Sequence, residues 1–152
     1  MIKEWNRRPH PFYDIDIWYQ VYKDYQKFDP RVVQVKNVHN NTFEMEYIEG
    51  ENLKDCIILN TISFEQKLDI IKQVVDIVSN MFKFKHKDCH LFWHDDVQLK
   101  NFLYTTDNKI RLIDPDSFRP IKFDNTSHYE FEIGKFTNTI NNLHMSLIKW
   151  EE

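Results

Sequence analysis

Leu91 to Phe118, LFWHDDVQLKNFLYTTDNKIRLIDPDSF, is the stretch on which the reading of the whole chain turns. It holds a short apolar run, a polar loop, two strand-like runs around a turn, and a second group of carboxylates. Phe102, Leu103 and Tyr104 read as one strand and Ile110 to Ile113 as the next, with turn residues Thr105 to Asn108 between them. A hairpin of Phe102–Thr105 with Lys109–Ile113 brings its outer ends together. Asp96 and Asn101 then converge on Asp114 in one cleft. Two acids and an amide are hard oxygen donors, the kind that Mg²⁺ accepts while keeping room for water and substrate phosphates.

Working outward, 152 residues make one domain with a real core. The net charge of -4 and pI near 6.0 give no basic surface for nucleic acid. Aromatics at 15% indicate a packed globule. Cys56 and Cys89 suit reduced thiols better than a disulfide scaffold. With no signal peptide and no membrane-length apolar run, the expectation is a cytoplasmic protein without membrane partners.

Taken in order, Met1 to Pro11 reads as an irregular lead-in. Ile15, Trp18, Tyr19, Tyr22 and Tyr25 recur at helical spacing over Tyr13 to Phe28, with Asp14 as cap and Asp29-Pro30 as stop. Arg31 to Val38 and Phe43 to Ile48 read as a two-stranded hairpin around His39 to Thr42. Glu49-Gly50-Glu51 reads as a hinge, and Asn52 to Leu59 as a short helix. Ser63 with Gln66 forms a capping box opening a helix to about Phe84. That helix carries Leu68, Ile71, Val75, Val78 and Phe82 on one face and Ile70, Val74, Ile77 and Met81 on another, and so is expected to be buried nearly all round. Arg119 to Ser127 reads as irregular. A last helix, about Glu130 to Trp150, presents Phe136, Ile140, Leu143 and Leu147 on one side. His86, Cys89, His90 and His94 form a Cys/His cluster of only loosely zinc-like spacing, with no paired C-x-x-C to anchor it.

His94-Asp95-Asp96-Val97-Gln98-Leu99-Lys100-Asn101, followed by the hairpin and Ile113-Asp114-Pro115-Asp116, resembles the catalytic loop and metal-binding segment of the protein-kinase-like superfamily. The acid two residues after Asp114 favours its small-molecule branch, the aminoglycoside-phosphotransferase-like enzymes. The resemblance implies an α+β fold with a reduced N-terminal lobe over 1–50 and a mainly helical C-terminal lobe over 51–152. It implies ATP and Mg²⁺ as cofactors and phosphate transfer to a hydroxyl of a small molecule or protein. Asp96 would be the catalytic residue, orienting or deprotonating the acceptor hydroxyl. Asn101, Asp114 and Asp116 would bind the metal. Met45, Glu46, Tyr47 and Ile48, in the run MEYIEGENL, would hold the nucleotide at the inter-lobe segment, with Lys100 near a phosphate. His94 would hold the loop by hydrogen bonds.

The family pattern is incomplete. No glycine precedes Gly50, so the glycine-rich phosphate loop is absent. The strand expected before the first helix is missing, that helix offers only Asp14, Asp16 and Asp24 in place of the family's Glu, and Lys36 lies in a strand after the helix. A non-catalytic kinase-like binding module is therefore the alternative function. Arg7, Arg8, a second copy of the chain or a partner completing the small lobe would have to cover the phosphates.

Overall fold

The computed structural model describes residues 1–5, 14–59, 62–122 and 126–151. Those residues form a mixed α+β structure in which short antiparallel sheets are packed with helices.

The first sheet has the order β1 (Ile2–Glu4), β3 (Thr42–Met45), β2 (Val35–His39). Its edge strand corrects the reading of the N-terminus as an irregular lead-in with no strand before the first helix. Ile2, Lys3 and Glu4 pair with Glu44, Phe43 and Thr42. The Met1 ammonium donates to the Met45 carbonyl at 3.0 Å, and the Met45 N–H donates back to Met1 O at 2.8 Å. Between β2 and β3 the turn is made by Asn40 and Asn41 in the left-handed region, φ 48° and 61°, which Asn tolerates better than most residues. Both strands are shorter than the sequence suggests. A register shift between Lys36 and His39, with Asn37 at φ 54°, breaks one of them. The other ends at Met45.

Helix α1 (Ile15–Phe28) starts where Asp14 accepts from the Ile17 N–H at 3.0 Å. Trp18, Tyr22 and Tyr25 recur at one helical face and are fully buried against Phe43, Phe92 and Phe118. Each ring removed from water contributes about 2–3 kcal/mol. Tyr22 Oη donates to Val33 O at 2.6 Å, so the phenol is satisfied inside the core. The chain then leaves the helix through Asp29, whose carboxylate is held by Arg31 Nε at 2.8 Å and Asn80 Nδ2 at 3.0 Å.

Gly50–Asn52, read as a hinge, is instead a strand, β4, pairing with β6 (Phe102–Thr105), which in turn pairs with β7 (Ile110–Leu112). Gly50 is required by proximity here, because a Cβ would lie 2.9 Å from Tyr104 O. Helix α2 (Leu53–Leu59) follows at once. A third pairing, β5 (Leu91–His94) with β8 (Phe118–Ile121), also corrects the sequence reading, which left 119–121 irregular. Pro120 obscured that strand. It is tolerated because the ribbon has only two strands, each with an edge that needs no donor.

Helix α3 (Phe64–Lys83) opens with both halves of the Ser63–Gln66 capping box, but is not buried all round. Ile70, Val74, Ile77, Val78 and Met81 are buried, while Leu68, Val75 and Phe82 are half exposed. Only one side meets β5 and β7. Helix α4 (Thr126–Glu151) buries Phe136, Leu143 and Leu147 and half-buries Ile140. No helix among the described residues is long and apolar enough to cross a membrane.

Candidate active site

The polar loop after β5 is fixed from beneath by His94, which is completely buried. Its Nε2 donates to Ile113 O at 3.0 Å, and its Nδ1 accepts from the Asp96 N–H at 3.1 Å. Both ring nitrogens are satisfied by a neutral ring protonated on Nε2. Burial accordingly lowers its pKa from 6.5, outweighing the carbonyl and nearby acids. Asn101, at the end of a short 3₁₀ turn, uses its amide hydrogens on Asp96, at 2.7 Å to the main-chain O and 3.0 Å to Oδ2. Gln98 Nε2 donates to Asp96 Oδ1, and Lys100 Nζ lies 3.9 Å from Oδ2.

Two main-chain hydrogen bonds fasten this loop to the second acidic turn. Ile113 N–H donates to Asn101 O at 2.9 Å, and Asp95 N–H to Ser117 O at 3.0 Å. Asp114 then takes the left-handed conformation, φ 64° and ψ 63°, and closes a tight turn in which Ser117 N–H donates to its O and Ser117 Oγ to its Oδ2 at 2.6 Å. A non-glycine residue in that region carries strain of order 1 kcal/mol, concentrated at the site. Trp18 Nε1 supports the turn from α1 by donating to Pro115 O at 3.2 Å.

The sequence reading missed Lys3. From β1 its ammonium reaches Asp114 Oδ1 at 2.8 Å and Asp116 Oδ1 at 2.6 Å. The two carboxyl groups also touch each other through a hydrogen bond. Burial opposes the charge on Asp114, but hydrogen bonds from Asp116, Lys3 and Ser117 outweigh it and hold its carboxyl well below the usual range. Burial and the Asp114 charge push Asp116 the other way, upward. Lys3 loses by burial and gains more from its two acids, so its pKa is raised. Of the two, Asp116 is thus the acid that more readily takes up a proton as pH falls. A lone Lys between Ile2 and Glu4 near the N-terminus carries no periodicity.

Of the expected site residues, the structure thus groups Asp96 with Asn101 and Lys100, and Asp114 with Asp116. The two groups stand on main-chain-linked segments. Met45 spends its main-chain N–H and C=O on Met1, and Glu46 its N–H on Gln34 O. Glu46 Oε1 also accepts from Gln34 N–H at 2.9 Å and from Arg111 Nη2. The Glu46 carbonyl and the main chain of Tyr47 and Ile48 take no such bonds among the described residues. A cavity of about 520 Å³ touches Met45, Glu46 and Tyr47 but is otherwise walled by residues such as Gln26, Val35 and Lys36. Asp114 and Asp116 are not among its described walls. Arg7 and Arg8 lie outside the described residues. His86 is taken by Asp24 at 2.8 Å, and Cys89 is buried with its thiol pushed up to about 12. No group of three or more His, Cys, Asp or Glu side chains suited to one metal ion occurs among the described residues, which leaves the zinc reading without support. Two carboxylates and an amide are hard oxygen donors, and the Lys3 ammonium occupies the position between the two carboxylates.

No protein-family model matches the chain, and no curated protein matches it. Among solved structures, the complex of Rv3197 from Mycobacterium tuberculosis with erythromycin is similar at 20% identity and a TM-score of 0.49, over 70% of this chain and 26% of that one. The complex of WbdD with the kinase inhibitor LY294002 is similar at 19% identity and a TM-score of 0.49, over 93% of this chain and 33% of that one. The chain therefore spans about a quarter to a third of the length of these structures.

Proposed function

We propose that this chain is a small protein-kinase-like domain that binds a nucleotide with Mg²⁺ and transfers its terminal phosphoryl group to a hydroxyl. The observation that carries the reading is Lys3 paired with Asp114 and Asp116, beside an Asp96–Asn101 loop stapled to the same turn. The loop spacing and the pairing of Lys3 with the second acidic turn both support this reading.

In this reading Asp114, Asp116 and the Asn101 amide oxygen hold Mg²⁺, which would neutralise phosphate charge. Lys3 turns from the carboxylates to the phosphates. Asp96, braced by Asn101 and Gln98, receives the acceptor's hydroxyl proton. The new bond joins the acceptor oxygen to the γ-phosphorus, the γ-phosphorus to bridging-oxygen bond breaks, and the nucleoside diphosphate leaves. The free main-chain groups from Glu46 to Ile48 suit an adenine edge. The small lobe is 1–50 and the large lobe 51–152.

A second reading, a binding module without turnover, is favoured by one observation. The only glycines are Gly50 and Gly134, so no glycine-rich loop is available to cover the phosphates. A second copy or a partner would then complete the small lobe of an active form. Melting curves with Mg²⁺, with ATP and with both test the shared core. Stabilisation should be largest with both and should vanish in Asp114→Asn. Slow release of ADP, lost in Asp96→Asn while binding persists, would mark an enzyme. Its absence with binding intact would mark the module. A melting curve moved by neither ligand would end both readings.

A further inference from the structure

We infer that the cavity in front of Asp96 accepts a polyhydroxylated molecule bearing an anionic group, with Lys54 holding the anion. This rests on the phosphotransfer reading for the role of Asp96, although the binding chemistry stands on its own. The cavity holds about 600 Å³, within the range of small-molecule sites. One wall is the loop with Asp96 and Lys100. The facing wall is α4, which contributes Thr139, Asn142 and Ser146 at spacings that share one helical face.

These side chains describe the ligand. Thr139 Oγ1 donates to Lys135 O at 3.1 Å and Ser146 Oγ to Asn142 O at 3.0 Å. Each hydroxyl thus spends its hydrogen on its own helix and keeps its lone pairs for donors, which is what sugar-like hydroxyls are. Asn142 adds a donor and an acceptor.

The charges favour an anion over an amine. Asp96 is held by Asn101 and Gln98 with Lys100 close by, and Asp95 is 4.0 Å from Arg119 Nε. Each carboxylate of the lining thus already has a cation of the protein within 4.0 Å. Lys54, exposed on α2, has no ion-pair partner among the described residues. A cationic ligand would meet Lys54 uncompensated and compete with Lys100 for Asp96, whereas a phosphate or carboxylate would pair with Lys54.

Titration of the full chain by ligand-observed NMR distinguishes the cases, with a hexose phosphate, gluconate, glucose, inorganic phosphate and kanamycin as probes. The hexose phosphate and gluconate should bind about tenfold more tightly than glucose, inorganic phosphate or kanamycin, and Lys54→Glu should erase that margin. Preference for the phosphate ester over gluconate, or the reverse, identifies the anion. Equal binding of inorganic phosphate reduces the site to an anion contact and overturns the inference. So does stronger binding of kanamycin, an unchanged margin in Lys54→Glu, or no binding of any polyol. Melting curves with Mg²⁺ and ATP separate the two readings. Nucleotide binding without polyol binding sinks this inference alone. Lys54-dependent polyol binding without nucleotide binding sinks phosphotransfer and leaves this inference standing.

Discussion

Replacing Lys3 with Met removes the only charge that reaches both Asp114 and Asp116 from β1. Breaking a buried ion pair costs about 3–5 kcal/mol because the remaining charge is stranded. Here Lys3 is 25% and Asp114 30% exposed, so water screens part of that loss. About 2 kcal/mol is therefore expected at pH 8, or a melting temperature lower by about 4–8 °C for a chain of this size. The loss should shrink in acid. The Asp116 carboxyl already sits above its usual pKa through burial and the neighbouring Asp114. Without the ammonium it rises further, and the folded variant binds a proton that the unfolded chain releases. Its stability relative to the wild type therefore recovers as pH falls through that raised value. Mg²⁺ should also rescue Lys3→Met more than it stabilises the wild type, where it must first displace the ammonium. Thermal melts at pH 5 and pH 8, with and without Mg²⁺, measure all three effects. A variant as stable as the wild type at both pH values, and indifferent to Mg²⁺, would refute the account of Lys3 as the cation of a functional carboxylate pair.

Two further outcomes follow from packing and protonation. Gly50→Ala should cost about 1–3 kcal/mol in urea denaturation, because the new Cβ would lie 2.9 Å from Tyr104 O and force β4 from β6; a neutral result would mean that the strands are not so close. His94 has a folded pKa below 6.5 because of burial, so the unfolded chain takes the proton first. Stability from this residue is complete above pH 6.5 and lost as pH falls toward the folded value. The acid-side slope should therefore be shallower in His94→Gln, and an unchanged slope would assign acid sensitivity elsewhere.

Elements whose information is local were legible in the sequence. Asp14 and the Ser63–Gln66 pair mark helix starts by side-chain groups within one turn of the orphan N–H donors, and both do so in the structure. The hairpin between Phe102 and Leu112 announced itself by turn residues between apolar runs. What failed depends on partners far along the chain. Leu68, Val75 and Phe82 are as apolar as the buried face of α3, and only the positions of β5 and β7 decide which side is covered. Likewise 118–121 becomes a strand because 91–94 lies beside it, which a local reading of Arg119-Pro120 could not supply.

The same distinction divides the candidate site. Asp96, Asn101, Asp114 and Asp116 fall within one hairpin and its flanks, so their spacing and the family resemblance singled them out as candidates. Their cation comes from 111 residues upstream of Asp114, on a three-residue strand with no pattern of its own. That separation has a chemical consequence. One ammonium cannot satisfy the two carboxylates and a phosphate chain equally. On the proposed reading, a divalent ion taking over the carboxylates would release Lys3 toward the phosphates, and phosphates drawing Lys3 away would expose the carboxylates to the ion. Each ligand removes a cost that the other would otherwise bear, and linkage makes that help mutual. Metal and nucleotide should therefore be weak binders alone and strong binders together, with Lys3 as the element that couples them.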